Sequence, residues 1–207
     1  MNMRWVVLVV LASTSLAPAK VITSINGKLP DRDGWKMTGT IPGQIIVVSG
    51  KKVLELKDEA TAEANGYAYR IADTEAERIL EKGYTLTYHV RQKSGDAHQL
   101  IVRLKGLGAS NFILWRDEKK NEMHVRSWDY DLGKHVGVQV GGVNKTVEIV
   151  AVWRPGSPVQ VTVNGRETYA MSLGSSEGSP LNSVEIGAPD LSRHGQTIVE
   201  FLEMTSP

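Results

Sequence analysis

The amino-acid sequence predicts an all-β domain: a sandwich of two antiparallel sheets with one short helix. Two observations carry this. From Tyr84 onward, segments with alternating apolar and polar residues follow one another with no helical segment between them. Turn formers punctuate them, at Ser94-Gly95-Asp96, Gly106-Leu107-Gly108, Gly141-Gly142, Asn164-Gly165 and Gly174. Of these, Asn164-Gly165 directly after Val159–Val163 is a two-residue hairpin signal, because both residues tolerate positive φ. Strands at this spacing close as a sandwich or a barrel.

Taken in order, residues 20–43 are rich in turn formers (Pro30, Asp31, Asp33-Gly34, Gly39) and read as a lead-in with one short strand at most. Gln44–Ser49 is a strand, and Gly50-Lys51-Lys52 turns into Val53–Leu56. Tyr67–Ile71 is the next strand. Asp73–Gly83 predicts the helix: Asp73 or Thr74 caps it, acidic residues crowd its first turn, and Gly83 stops it. The strands that follow are Tyr84–Gln92, His98–Leu104, Asn111–Arg116, Glu122–Trp128, His135–Val140, Lys145–Trp153, Val159–Val163, Glu167–Met171, Ser183–Ile186 and Thr197–Met204. No repeat or linker interrupts them, so residues 44–207 read as one domain.

Composition narrows the function classes. The 207 residues carry a formal net charge of +1 and no cysteine. That balance lacks a nucleic-acid binder's basic excess. It also excludes a disulfide scaffold, a thiolate metal site and a cysteine nucleophile. The first 19 residues have a leader's layout: Arg4, an apolar run Trp5–Ala12, then Ala17-Pro18-Ala19. The run is shorter than the ~20 residues a spanning helix needs, and nothing later is longer. The expectation is a cleaved signal peptide, residues 1–19, and a secreted or periplasmic chain with no transmembrane segment. An exported chain without cysteine suits a bacterial source.

Several stretches resemble concanavalin A-like lectin/glucanase domains of the laminin G-like and sialidase-associated type. They are Gly66–Ile71, the short helix with Gly83–Arg91, Lys145–Trp153, Val159–Gly165, and Val184–Gly187 with Gly195–Phe201. The resemblance covers roughly residues 44–206 and implies a jelly-roll β-sandwich. It does not imply an activity, since the fold hosts lectins, hydrolases, lyases and adhesion modules.

Familiar catalytic signatures are missing from the sequence. There is no Glu-x-Asp-x-x-Glu strand, Gly-x-Ser-x-Gly elbow, phosphate loop or His-Glu-x-x-His. The five histidines, His89, His98, His124, His135 and His194, are scattered and predict no metal centre. Asp129-Tyr130-Asp131 resembles the opening of a calcium loop but lacks the closing Glu, so no cofactor is expected, although a structural calcium is compatible. Trp115, Trp153, Tyr67, Tyr69 and Phe201 read as core.

What alternation does offer is an outward set. If their strands share a sheet, His89, Arg91, Gln99, Arg103, His124, Arg126 and Trp128 form one basic face with an aromatic platform. Trp128 could stack on a sugar ring while the arginines fork onto carboxylates or sulfates. The leading expectation is therefore a non-catalytic, carbohydrate-binding (lectin-like) domain for a glycan or polysaccharide, acidic ones included. Two alternatives stand beside it. A lyase or hydrolase would use His89 or His124 on the same face. A structural or protein-adhesion module would have only a solvated sheet face.

Overall fold

The computed structural model describes residues 18–58, 65–95, 97–117, 119–174, 181–187 and 195–207. Residues 1–17 of the expected leader, and His194, lie outside them. The chain folds as two antiparallel sheets with the core between. In chain order the elements are β1 (Lys20–Ile25), β2 (Trp35–Met37), β3 (Gln44–Val48), β4 (Lys51–Asp58), β5 (Gly66–Arg70), α1 (Asp73–Lys82), β6 (Tyr84–Gly95), β7 (Ala97–Arg103) and β8 (Ser110–Asp117). They continue with β9 (Glu122–Asp129), β10 (Lys134–Gln139), β11 (Val147–Trp153), β12 (Val159–Val163), β13 (Glu167–Met171), β14 (Ser183–Gly187) and β15 (Gly195–Ser206). Sheet A runs β13-β12-β11-β6-β15-β4-β3, with β1 added on β15; sheet B runs β10-β9-β8-β7-β14-β5-β2.

The lead-in differs from expectation. Instead of one short strand at most, it supplies two: β1 pairs with β15 and β2 with β5. Between them Pro30–Asp33 makes a single 3-10 turn. Ile22, Ile25 and Trp35 all enter the core, so this segment is part of the sandwich.

Period-two alternation places the inner faces. In β6, Tyr84, Leu86, Tyr88 and Val90 are buried, and Leu100, Val102, Phe112, Leu114, Met123 and Val125 face them from sheet B. Buried polar pairs interrupt this apolar layer: the Tyr84 and Ser110 hydroxyls hydrogen-bond at 2.7 Å, and Tyr88 hydrogen-bonds His98 Nε2. Burial holds the His98 imidazole down, to a pKa of about 3. The helix α1 closes one end with Ala76 and Ile79. Its N-cap is Ala72, whose side chain makes no capping bond, so neither Asp73 nor Thr74 plays that part. Asp73 instead accepts a hydrogen bond from Asn182 Nδ2 at 3.4 Å. Gly83 does stop the helix, at φ 87, where a Cβ would sit 2.1 Å from the Trp153 carbonyl oxygen.

Candidate functional site

The strand pairings divide the seven candidate residues between two sheets. Residue 96 alone separates β6 from β7, yet β6 belongs to sheet A and β7 to sheet B. His89 and Arg91 therefore lie on the outer face of sheet A. Gln99, Arg103, His124, Arg126 and Trp128 lie on the outer face of sheet B, across the core. The single basic face expected from alternation does not form.

On sheet A both side chains are matched by carboxylates. His89 Nε2 lies 3.1 Å from Glu148, and Arg91 3.3 Å from Glu200, which also accepts the Thr146 hydroxyl at 2.7 Å. A register shift in β15 between Val199 and Phe201 creates this pattern. The extra residue of the bulge, Glu200, reaches Arg91, while Phe201 leaves the core and lies 5.5 Å from the His89 ring. The assignment of Phe201 to the core is thus corrected.

On sheet B, Arg103 is also spoken for. Its Nε donates to Glu185 at 3.0 Å, and Ser183 donates to the same oxygen at 2.7 Å. It stands four positions along β7 from Gln99, about 13 Å away. The other four candidates sit closer together. Gln99, Ile113, Arg126 and Gly137 form one row across β7, β8, β9 and β10. A neighbouring row holds Trp115, His124 and Gln139. On the far side of Arg126, Trp128 stands opposite His135.

Three further residues complete this cluster: Trp115, whose assignment to the core is corrected, His135 and Gly137. Trp115 is half-buried, because Phe112 and Leu114 point inward and alternation turns Trp115 outward. The Arg126 guanidinium lies over its ring, 4.5 Å from the centroid, and the His124 ring is 5.4 Å away on the same indole. Such an arginine is fixed in direction by the ring beneath it. His124 Nε2 is in turn 3.5 Å from Glu122. His135 meets the Trp128 ring edge-on at 5.2 Å, and Trp128 remains 38% exposed. Gly137 opposes Arg126 on β10, and there the strands approach so closely that a Cβ would sit 2.2 Å from the Val125 carbonyl oxygen. A depression of about 200 Å³ results, lined by Trp115, His124, Arg126, His135 and Gly137. The parity of Trp115 was readable in β8; the roles of His135 and Gly137 needed the β9–β10 register.

The acidic turn after β9 serves a different purpose. Asp129 is buried and accepts the amides of Leu132 at 2.8 Å and Ser172 at 3.1 Å. The Leu132 amide is the main reason its carboxyl is held below the usual range. Both Asp129 oxygens thus serve the turn, Oδ1 holding Leu132 and Oδ2 holding Ser172. Among the described residues no group of three or more His, Cys, Asp or Glu could hold a metal ion, and no helix is long and apolar enough to cross a membrane.

No protein-family model matches the chain, and no curated protein does. Solved structures do. The conserved carbohydrate esterase of Shiga toxin-encoding bacteriophage phi24B superposes with a TM-score of 0.71 at 12% identity, covering 91% of this chain and 99% of that one. The CBM2 module of the evolved Dit of Lactobacillus casei BL23 phage J-1 gives 0.59 at 9%, covering 91% and 96%. The binding domain of botulinum neurotoxin DC, solved in complex with SialylT, gives 0.56 at 8%. The match covers 89% of this chain but 47% of that domain. At these identities the likeness is one of fold: a two-sheet antiparallel β-sandwich.

Proposed function

We propose that the protein is a non-catalytic carbohydrate-binding module of the concanavalin A-like kind. Its saccharide lies on the outer face of sheet B, and chains bearing carboxylate or sulfate groups are preferred. The observation that carries this reading is the Arg126–Trp115 stack beside the Gly137 depression, with Trp128 exposed next to it. An oriented guanidinium next to an open indole offers an acid group and a sugar ring their separate partners. The structural neighbours add support, since their names include a carbohydrate esterase and a sialyl-ligand complex. The leader-like residues 1–19 favour action outside the cytoplasm, in the periplasm or beyond the cell.

The test is an array of neutral and acidic polysaccharides probed with the purified protein at low and physiological salt. Acidic chains should be retained selectively, and retention should weaken as salt rises, because exposed charges are screened. Arg126→Ala should abolish retention and Trp128→Ala should weaken it, whereas Arg91→Ala on the opposite sheet should leave it unchanged. Silence across the array from folded protein, or binding indifferent to Arg126→Ala, would overturn the proposal. Release of reducing ends or unsaturated uronate from a bound polymer would make the face catalytic instead.

A further inference from the structure

The geometry points to a reader of linear chains: we propose that this face binds an internal stretch of about three rings laid along β9, and does not capture a single terminal sugar. The inference rests on the glycan-binding reading and specifies its ligand.

Three features of the face support it. The first is size. The depression of about 200 Å³ is smaller than the roughly 300–1,000 Å³ pockets that enclose a small ligand. One ring seated there stays largely in water, so affinity has to be collected along a line of contacts.

The second is the line itself. His124, Arg126 and Trp128 alternate onto the same face of β9, and strand geometry sets successive ones about 6.6 Å apart and the outer two about 13 Å apart, a span of roughly three linked pyranose rings. Across from them on β10 stand Gln139, Gly137 and His135. The middle of the trough is low because Gly137 carries no side chain, and there Arg126 meets the central ring. The two ends are raised by aromatic or imidazole groups.

The third is that the ends stay open. Beyond Trp128 the chain continues into Tyr130, Leu132 and Lys134, all exposed; beyond His124 stands half-buried Glu122. Among the described residues, nothing at either end caps a terminal hydroxyl. A chain can therefore run through.

The experiment is calorimetry on the full chain, using size ladders of one to six rings cut from three linear acidic polymers: galacturonate, alginate and hyaluronan. The probes are used with native and with reduced ends. For the polymer that binds, affinity should rise about five- to tenfold with each ring up to three and then level off, as each ring adds one contact. Reducing the terminal ring of a six-ring probe should change nothing. Trp128→Ala should bring a three-ring ligand down to two-ring affinity while a two-ring ligand loses little. Affinity already complete at one ring, or lost when the chain end is reduced, would overturn the internal-stretch proposal and leave glycan binding standing. Failure of every ladder and its parent polymer would sink both.

Discussion

Acidification should weaken the fold through one buried imidazole. His98 is 3% exposed and hydrogen-bonds the Tyr88 hydroxyl between the sheets. Burial lowers its pKa from 6.5 to about 3, while in the unfolded chain it titrates near the ordinary value of about 6.5. The folded pKa lies below the unfolded one, so the unfolded chain binds the proton first. Stability is complete above about pH 6.5 and drains away as pH falls toward 3. At pH 5 the gap is about 1.5 pH units, which corresponds to a loss of about 2 kcal/mol from this group alone. For a domain of this size that lowers the melting temperature by about 4–8 °C. The assay is urea unfolding of wild type and His98→Gln at pH 7 and pH 5. Glutamine keeps a hydrogen-bonding group for Tyr88 but cannot titrate, so the variant's curve should be flatter by about 2 kcal/mol over this interval. His89 and His124 are present in both proteins and cancel. Equal losses between pH 7 and pH 5 in the two proteins would refute the argument.

Two further changes report on the framework of the site. Gly137→Ala pushes a methyl against the Val125 carbonyl oxygen, so thermal unfolding should show a loss of about 1–3 kcal/mol. Asp129→Ala strips the acceptor from the Leu132 and Ser172 amides. It should cost about 1–3 kcal/mol in chemical denaturation at neutral pH. Because that carboxyl's pKa is depressed in the fold, its contribution holds at neutral pH and drains away as pH falls from about 4 through the lowered pKa, so the two proteins' denaturation midpoints should draw together over that range.

Much of the architecture is legible in the residues because a half-buried strand must alternate. Tyr84, Leu86, Tyr88 and Val90 announce the inner face of β6, and Asn164-Gly165 announces the β12–β13 hairpin, with φ of 52 and 67 in the structure. Strands β1 and β2 were harder to read. Lys20–Ile25 has no sustained alternation, and Trp35–Met37 is three residues beside a proline turn. The site was half readable. Alternation correctly turns His124, Arg126 and Trp128 outward, because the face a residue takes is a local property. Sheet membership is not local. A one-residue gap normally joins neighbours in a single sheet, and here it crosses between sheets, so His89 and Arg91 were grouped with residues on the other side of the core. The bulge at Glu200 is similarly invisible in Gln196–Phe201, where the apolar pattern alone keeps Phe201 inside.

The placement of β14 and β15 sets the order in which this molecule can assemble. In sheet B, β14 is the strand that joins β5 to β7; in sheet A, β15 is the strand that joins β4 and β1 to β6. Both come from residues 183–206, while the strands they unite lie largely in the first half of the chain. A nascent chain that has reached residue 180 can form the hairpin β3–β4, the meander β7–β8–β9–β10 and the β6–β11–β12–β13 group. It has nothing to connect them, and each exposes an unpaired edge. Closure of the two sheets therefore waits for the same short stretch and is expected to occur as one late event dominated by distant contacts, with the slow kinetics such topologies impose.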